Sequence, residues 1–299
     1  MATLRDIRRR INGVTNTSKI TQAMRMVSAA KLRRAQAAIE SARPYVLKLG
    51  EILRNVSENV GEDYHNPLLS KGHEVKNIAF VVVASDRGMC GSFNTNLFRK
   101  VDTYISTEMD ADYPGAKCHI IPVGKRSVNY FRKSNYHVAR EFNDAFARLD
   151  FSTAKEIVAH VSQGFITGNY DKVFIYFNEF KNILTQVPSS INLLPIEPVK
   201  ADGSGSAAKS FNIDYIFEPD MKQILDDILP KNLDIQMWRT MLESNAAEQA
   251  ARMMAMENAT DNAKELIKHL ELVFNKERQA AITKEMLEIV GGANALKKG

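Results

Sequence analysis

The chain has 299 residues, 44% of them hydrophobic and 25% charged, with a formal net charge of +5. That is the balance of an ordinary soluble protein of one or two domains. No apolar run approaches the eighteen or so residues that a membrane span needs. The charge is unevenly spread: residues 1–60 hold twelve Arg or Lys against four acids, a balance of +8, which leaves −3 for the rest. A basic N-terminal segment points to nucleic acid, an anionic lipid surface or an acidic protein surface.

The opening residues carry no apolar signal-peptide core. The arginines at 8, 9 and 10 have the flavour of a transit peptide, but the pattern continues without a break into structure-like sequence. Thr3 and Asp6 form a helix-capping pair. Leu4, Ile7, Ile11 and Val14 then recur at threes and fours, a polar interruption follows at 15–18, and Ile20, Met24, Val27 and Ala30 resume the stripe. Residues 3–43 contain no proline and only Gly13, and Pro44 is expected to kink or end the helix. Residues 45–60 read as a further helical piece, and 61–67 as a linker.

The character then changes. Residues 77–84 read as a buried strand, 92–109 as a helix, 118–123 as a strand, and 124–134 and 151–167 as helices. Residues 172–180 and 185–195 read as two more strands. Strands alternating with helices imply an α/β domain with at least part of its sheet parallel. Residues 200–210, rich in Gly, Ser and Ala, read as a flexible loop.

The last segment is the most informative. Residues 231–290 are sixty in a row with neither glycine nor proline. As one helix they span roughly 90 Å, whereas a compact globule of this length is about 50 Å across. So long a helix needs a partner, and the N-terminal helix supplies one. The helix is expected to begin near Pro219, to bend at Pro230 and to end at Gly291 and Gly292. Its apolar positions, Leu242, Ala246, Met253, Met256, Ala263, Leu266, Leu270 and Val273, are small or pliable in the middle. The fold expected is an α/β domain plus a long coiled coil of the two termini, whose antiparallel sense is implied by the family resemblance given below. Its parts are 1–60, a central α/β domain over 75–198, and 213–299. Facing residue numbers are expected to sum to about 276, with Met24 near Arg252 and Leu4 near Leu272, so that residues beyond about 275 overhang alone.

Few residues suggest chemistry. Ser85-Asp-Arg-Gly-Met-Cys-Gly-Ser-Phe-Asn94 lies between a strand and a helix, where a phosphate could sit. It matches neither a dinucleotide fingerprint nor a P-loop, and a tight turn that needs glycine explains it more simply. The histidines at 65, 73, 119, 137, 160 and 269 have no zinc-helix spacing, and Cys90 and Cys118 read as free thiols in a reducing compartment. No catalytic group, cofactor site or metal site is expected. The methionines at 24, 26, 237, 241, 253, 254 and 256 read as an adaptable helix seam.

Three stretches carry a family resemblance. The first is Asn16-Thr-x-Lys-Ile-Thr-x-Ala-Met24-x-Met-Val-x-Ala-x-Lys31-x-Arg-x-Ala35. The second is the Ser85–Gly91 segment. The third comprises Ser244-x-x-x-Glu-Gln-Ala-Ala-Arg252-Met-x-Ala-Met, Ala259-Thr-Asp-Asn-Ala263 and Phe274-Asn-x-x-Arg-Gln279-Ala-x-Ile-Thr-x-Glu285. Together they resemble the γ subunit of F-type ATP synthases across the whole chain. The resemblance implies an antiparallel coiled coil with a Rossmann-like domain at its foot. It implies a rotor shaft inside a ring of three α and three β subunits, whose foot contacts the ε subunit and the membrane c-ring. Such a chain transmits torque and holds no nucleotide. Partner contacts are implied for Met24, Arg25, Lys31, Arg33 and Arg34, for Arg252, and for Arg278 and Gln279. The segment 280–290, apolar on most sides, would be enclosed by the ring. The absence of cysteine from 199–212 implies that the thiol regulation of photosynthetic relatives is missing. The expected location is the cytoplasmic face of a bacterial inner membrane, since no transit peptide is evident. The alternatives are a basic coiled-coil nucleic-acid binder and a nucleotide-using enzyme built on the α/β domain.

Overall fold

The computed structural model describes residues 3–59, 64, 66–69, 74–196 and 220–296. The loop at 199–212 and the helix start at Pro219 lie outside these residues. The chain forms two compact units, one of residues 1–30 with 252–299, the other of residues 31–251. Both long helices pass through the division.

Helix α1 (Leu4–Asn59) starts at a reciprocal cap. The Asp6 amide donates to Thr3 Oγ1 at 3.3 Å, and the Thr3 amide donates to Asp6 Oδ2 at 3.2 Å. The polar stretch at 15–18 does not interrupt the helix. Thr15 and Thr17 turn their hydroxyls onto the carbonyls of Ile11 and Gly13, four residues back. Pro44 does not end it either. The proline is exposed, so the carbonyl it frees is left to water, and Leu49, Leu53 and Val56 beyond it are buried in the core. The same holds for helix α6 (Met221–Leu296): Pro230 lies on its exposed side, between buried Leu229 and Leu233. Gly291 and Gly292 do not stop α6, which runs on to Leu296.

The sheet belongs to the unit of residues 31–251. Its strands are β1 (Asn77–Val83), β2 (Lys117–Val123), β3 (His137–Val138), β4 (Lys172–Phe180) and β5 (Gln186–Leu194). Their order is β3-β2-β1-β4-β5, the first four parallel and β5 antiparallel to β4. Alternation along β1 separates two cores. Ala79, Val81 and Val83 face helix α5 (Phe151–Ile166) and residues of α1 and α6. Ile78, Phe80 and Val82 face α2 (Phe93–Thr103), with Phe131 of α4 (Lys125–Phe131) in the same cluster. The helix expected over 92–109 is present, running helically from Phe93 to Asp112, but it changes winding on the way. After Thr103 comes a π-helical turn, Tyr104–Glu108, and then the short α3 (Met109–Asp112).

Within the same unit α6 is enclosed. Between Met237 and Ala250 every residue is buried except Trp238, Arg239, Glu243 and Asn245. This is why no single apolar stripe marks that stretch in the sequence.

Candidate interaction surfaces

In a doubly wound sheet of this order a ligand would lie beyond the carboxyl ends of β1 and β4, where the strand order reverses. Here that crevice is filled from within the chain. Cys90 and Phe93 of the turn after β1, with Phe180 at the end of β4, pack against Ala247 and Ala251 of α6. The Asn178 amide donates to the Phe93 carbonyl at 3.2 Å. Asp86 closes a second opening. Its carboxylate accepts from the Lys125 amide at 2.9 Å, at the start of α4, and from the Phe146 amide at 2.8 Å. A protein carboxylate therefore takes the place a phosphate would need there.

One glycine of this turn has a backbone reason and the other a side-chain neighbour. Gly91 sits at φ 59, in the left-handed region. A Cβ at Gly88 would come within 2.4 Å of Arg126 Nη2. Beside the turn an open groove of about 980 Å³ is lined by Arg99, Asp102, Arg126, Tyr130 and Lys133 among others. Its acid is engaged, since the Tyr130 hydroxyl donates to Asp102 at 2.5 Å. That bond, then burial, pushes Tyr130 up to about 12. Burial also pushes the Cys118 thiol up to about 12, which keeps it protonated and unreactive.

The second surface is the helix pair in the unit of residues 1–30 and 252–299. It is antiparallel. Thr21 Oγ1 meets Thr260 Oγ1 at 2.7 Å, Arg25 Nη1 donates to Glu257 Oε1 at 3.0 Å, and the Arg8 guanidinium lies 5.4 Å from the Phe274 ring centre. Facing residue numbers thus sum to 281 or 282. The expected register is displaced by five or six residues, about one and a half turns, so Met24 lies opposite the region of residue 258. Mobile-looking methionine and alanine spacing supplied no anchor; the hydroxyl pair does.

The stripe on α1 also differs from the expectation. Its buried positions recur every seven residues: Ile7, Thr21, Ser28, Ala35, Leu49 and Val56, with Ser18, Leu32 and Leu53 four places after Val14, Ser28 and Leu49. Ile20 and Val27, expected in the stripe, are 60% and 55% exposed. Small hydroxyl residues can occupy a close seam because their own helix satisfies them. Each hydroxyl has a single proton, so one of the pair donates across the seam while the other donates to its own helix, Thr21 to the Ser18 carbonyl or Thr260 to the Met256 carbonyl. Continuing the sevens from Ile7 and Val14 finds Thr21 and Ser28 in the sequence; following apolarity alone does not.

The implied contact residues are spread along both helices. Met24 and Arg25 are half-buried, and Arg25 is held by Glu257; Arg252 is buried. Arg278 and Gln279 are exposed on the last part of α6, where every residue from Ile282 to Ala293 is exposed. In that stretch Leu287 and Ile289 are 67% and 71% exposed. Lys31, Arg33 and Arg34 are exposed in the other unit.

A family model described as ATP synthase matches residues 3–296. A relative named ATP synthase gamma chain, from Chloroherpeton thalassium, is 48% identical over 303 residues, covering 100% of this chain and 99% of its own. A second of that name, from Chlorobium phaeobacteroides, is 46% identical over 297 residues, covering 99% of each. Among solved structures, the Tetrahymena thermophila mitochondrial ATP synthase central stalk and c-ring is similar with a TM-score of 0.59 and 24% identity, over 80% of this chain and 99% of that one. The Euglena gracilis mitochondrial OSCP/F1/c-ring structure gives 0.65 and 20%, over 98% and 94%. At those identities the structures speak for the fold.

Proposed function

The chain belongs to the ATP synthase gamma-chain family, and from that premise we propose that it is the central rotor shaft of a rotary ATP synthase. It transmits torque between a membrane c-ring and a ring of α and β subunits, and so couples ion flow to ATP synthesis or hydrolysis. Alongside the full-length relatives, one structural observation carries this reading. The helix pair turns Ile20, Val27, Leu287 and Ile289 outward. A pair standing in water would bury such side chains; a pair enclosed by other subunits keeps them for its surroundings.

The residues divide accordingly. The exposed Lys31, Arg33 and Arg34 meet acidic segments of the ring, each such surface pair contributing about 0–1 kcal/mol. Shallow contacts suit a shaft that must leave each position it visits. Arg25, engaged by Glu257, acts together with that acid, and Met24 lies beside it on α1. Arg252, being buried, acts by holding the helix pair in place. Arg278 and Gln279 bind loops of the ring where α6 enters it. The sheet-bearing unit contacts the ε subunit and the c-ring.

The chain contributes no catalytic group, cofactor or metal; catalysis lies in the surrounding ring. The filled crevice at Phe93 and Ala247 and the closed helix start at Asp86 support this reading. Nothing among the comparisons favours a nucleic-acid binder. The chain is peripheral at the cytoplasmic face of the membrane; among the described residues no helix is long and apolar enough to cross it.

The test is isolation of the complex from its native membrane with mild detergent. The chain is expected to co-purify with α and β subunits and with ATP hydrolysis. Its recovery free of them, or bound to nucleic acid, would overturn the reading.

A further inference from the structure

The parallel edge of the sheet ends in a histidine pair that the rotor reading does not use. His119 of β2 and His137 of β3 are direct partners in the strand register. Their side chains therefore project from the same side of the sheet. The two ring centres are 5.2 Å apart and the ring planes are nearly perpendicular, at 84°.

A shared metal ion would hold two imidazole centres at that separation, which is also that of an edge-to-face ring pair. With a metal–nitrogen distance of about 2.0–2.1 Å, an imidazole centre lies roughly 3.2 Å from the ion, so two rings at the tetrahedral angle have centres about 5.2 Å apart. His119 also has the outer contact expected of a ligand. Its Nε2 faces Asn77 Oδ1 at 3.4 Å. With Nε2–H directed at that oxygen, Nδ1 carries the lone pair, and a ligating histidine ordinarily gives its second ring nitrogen to such a carbonyl. His137 is exposed and free to turn its ring.

We propose that His119 and His137 form a two-histidine site for a divalent transition-metal ion, completed by water. Paired imidazoles suit zinc, nickel and copper, and not calcium or magnesium, which take oxygen ligands. The ion clips β3 to β2. β3 is only two residues long, and beside it the Ala139 amide donates to the Ile120 carbonyl at 2.9 Å. The exposed Lys117 lies two residues along β2, on the same side as His119. Its charge opposes a bound cation.

The experiment is calorimetric titration of the untagged full-length chain with zinc and with nickel chloride, followed by amide hydrogen exchange. One saturable site is expected. His137→Gln, at an exposed position, is expected to weaken it at least tenfold, whereas His269→Gln leaves it unchanged. Lys117→Ala is expected to tighten it severalfold. Zinc is expected to slow exchange at Ala139. Absence of saturable binding, or binding that His137→Gln leaves intact, would overturn the proposal. So would site loss in His269→Gln. Tight binding of magnesium at the same site would refute the assigned ligand chemistry.

Discussion

Helix α6 lives in two environments. From Met237 to Ala250 it is enclosed on nearly every side by the sheet-bearing unit. From Arg252 onward it buries one stripe against α1, and from Ile282 to Ala293 every residue is exposed. The sheet-bearing unit is finished by its own residues: Phe80, Phe131, Ile157 and Leu233 are wholly buried among apolar neighbours. The paired helices of the other unit fill much of their seam with Thr, Ser and Ala, beside Ile7 and Met256, and place Ile20, Val27 and Leu272 outside. The first arrangement needs only water around it. The second is complete only when something else covers it, which is what a rotating element inside a ring requires.

The contrast can be broken at its strong end first. Phe80→Ala removes a ring packed against Tyr104, Phe174 and Tyr176. It is expected to destabilise the sheet-bearing unit by about 3–5 kcal/mol, read as a fall in the urea midpoint of the purified chain. A loss under about 1 kcal/mol would mean that this core is not tightly packed.

The seam should respond less. Thr21→Val leaves Thr260 still bonded to the Met256 carbonyl, so a loss of about 1 kcal/mol is expected. Thr21→Val with Thr260→Val should cost less than the two single changes together, because both ends of the pair are then apolar. Hydrogen exchange across residues 14–28 measures both. Additive losses would show that the two hydroxyls do not act as a pair. Smallest is the ion pair. Arg25 and Glu257 are about 40% and 39% exposed, so their coupling in a double-mutant cycle should not exceed about 1 kcal/mol and should shrink in salt. A coupling of several kcal/mol would place that pair in a much drier setting than the exposed seam.

Much of the sheet was legible in the sequence because β1 and β4 are runs rich in β-branched and aromatic residues and β2 carries Ile120, Ile121 and Val123. The segments at 77–83, 117–123 and 172–180 emerge with ends correct to within a residue or so. β3 did not, since two residues carry no alternation. The π-helical turn at Tyr104 has no glycine or proline to mark it. The glycines at 291 and 292, and Pro44 as a possible helix end, were misleading, since these residues mark helix ends only where no packing or helical context outweighs them. The filled crevice was hidden for a different reason. Asp86 closes on amides 39 and 60 residues away, and no local pattern records such a distance. The seam register failed on the same ground: it depends on one threonine finding another across the chain.

That threonine pair joins positions 239 residues apart. A ribosome adding about 5–20 residues per second takes roughly ten to fifty seconds to travel from one to the other. For that interval the first helix waits while its partner does not yet exist. A leucine-lined stripe would spend the wait seeking other surfaces. A stripe whose middle is Ser18, Thr21 and Ser28, on a segment carrying twelve positive side chains against four acids, can spend it in water. The weak apolarity of the seam thus gives the newborn chain time to reach its own far end.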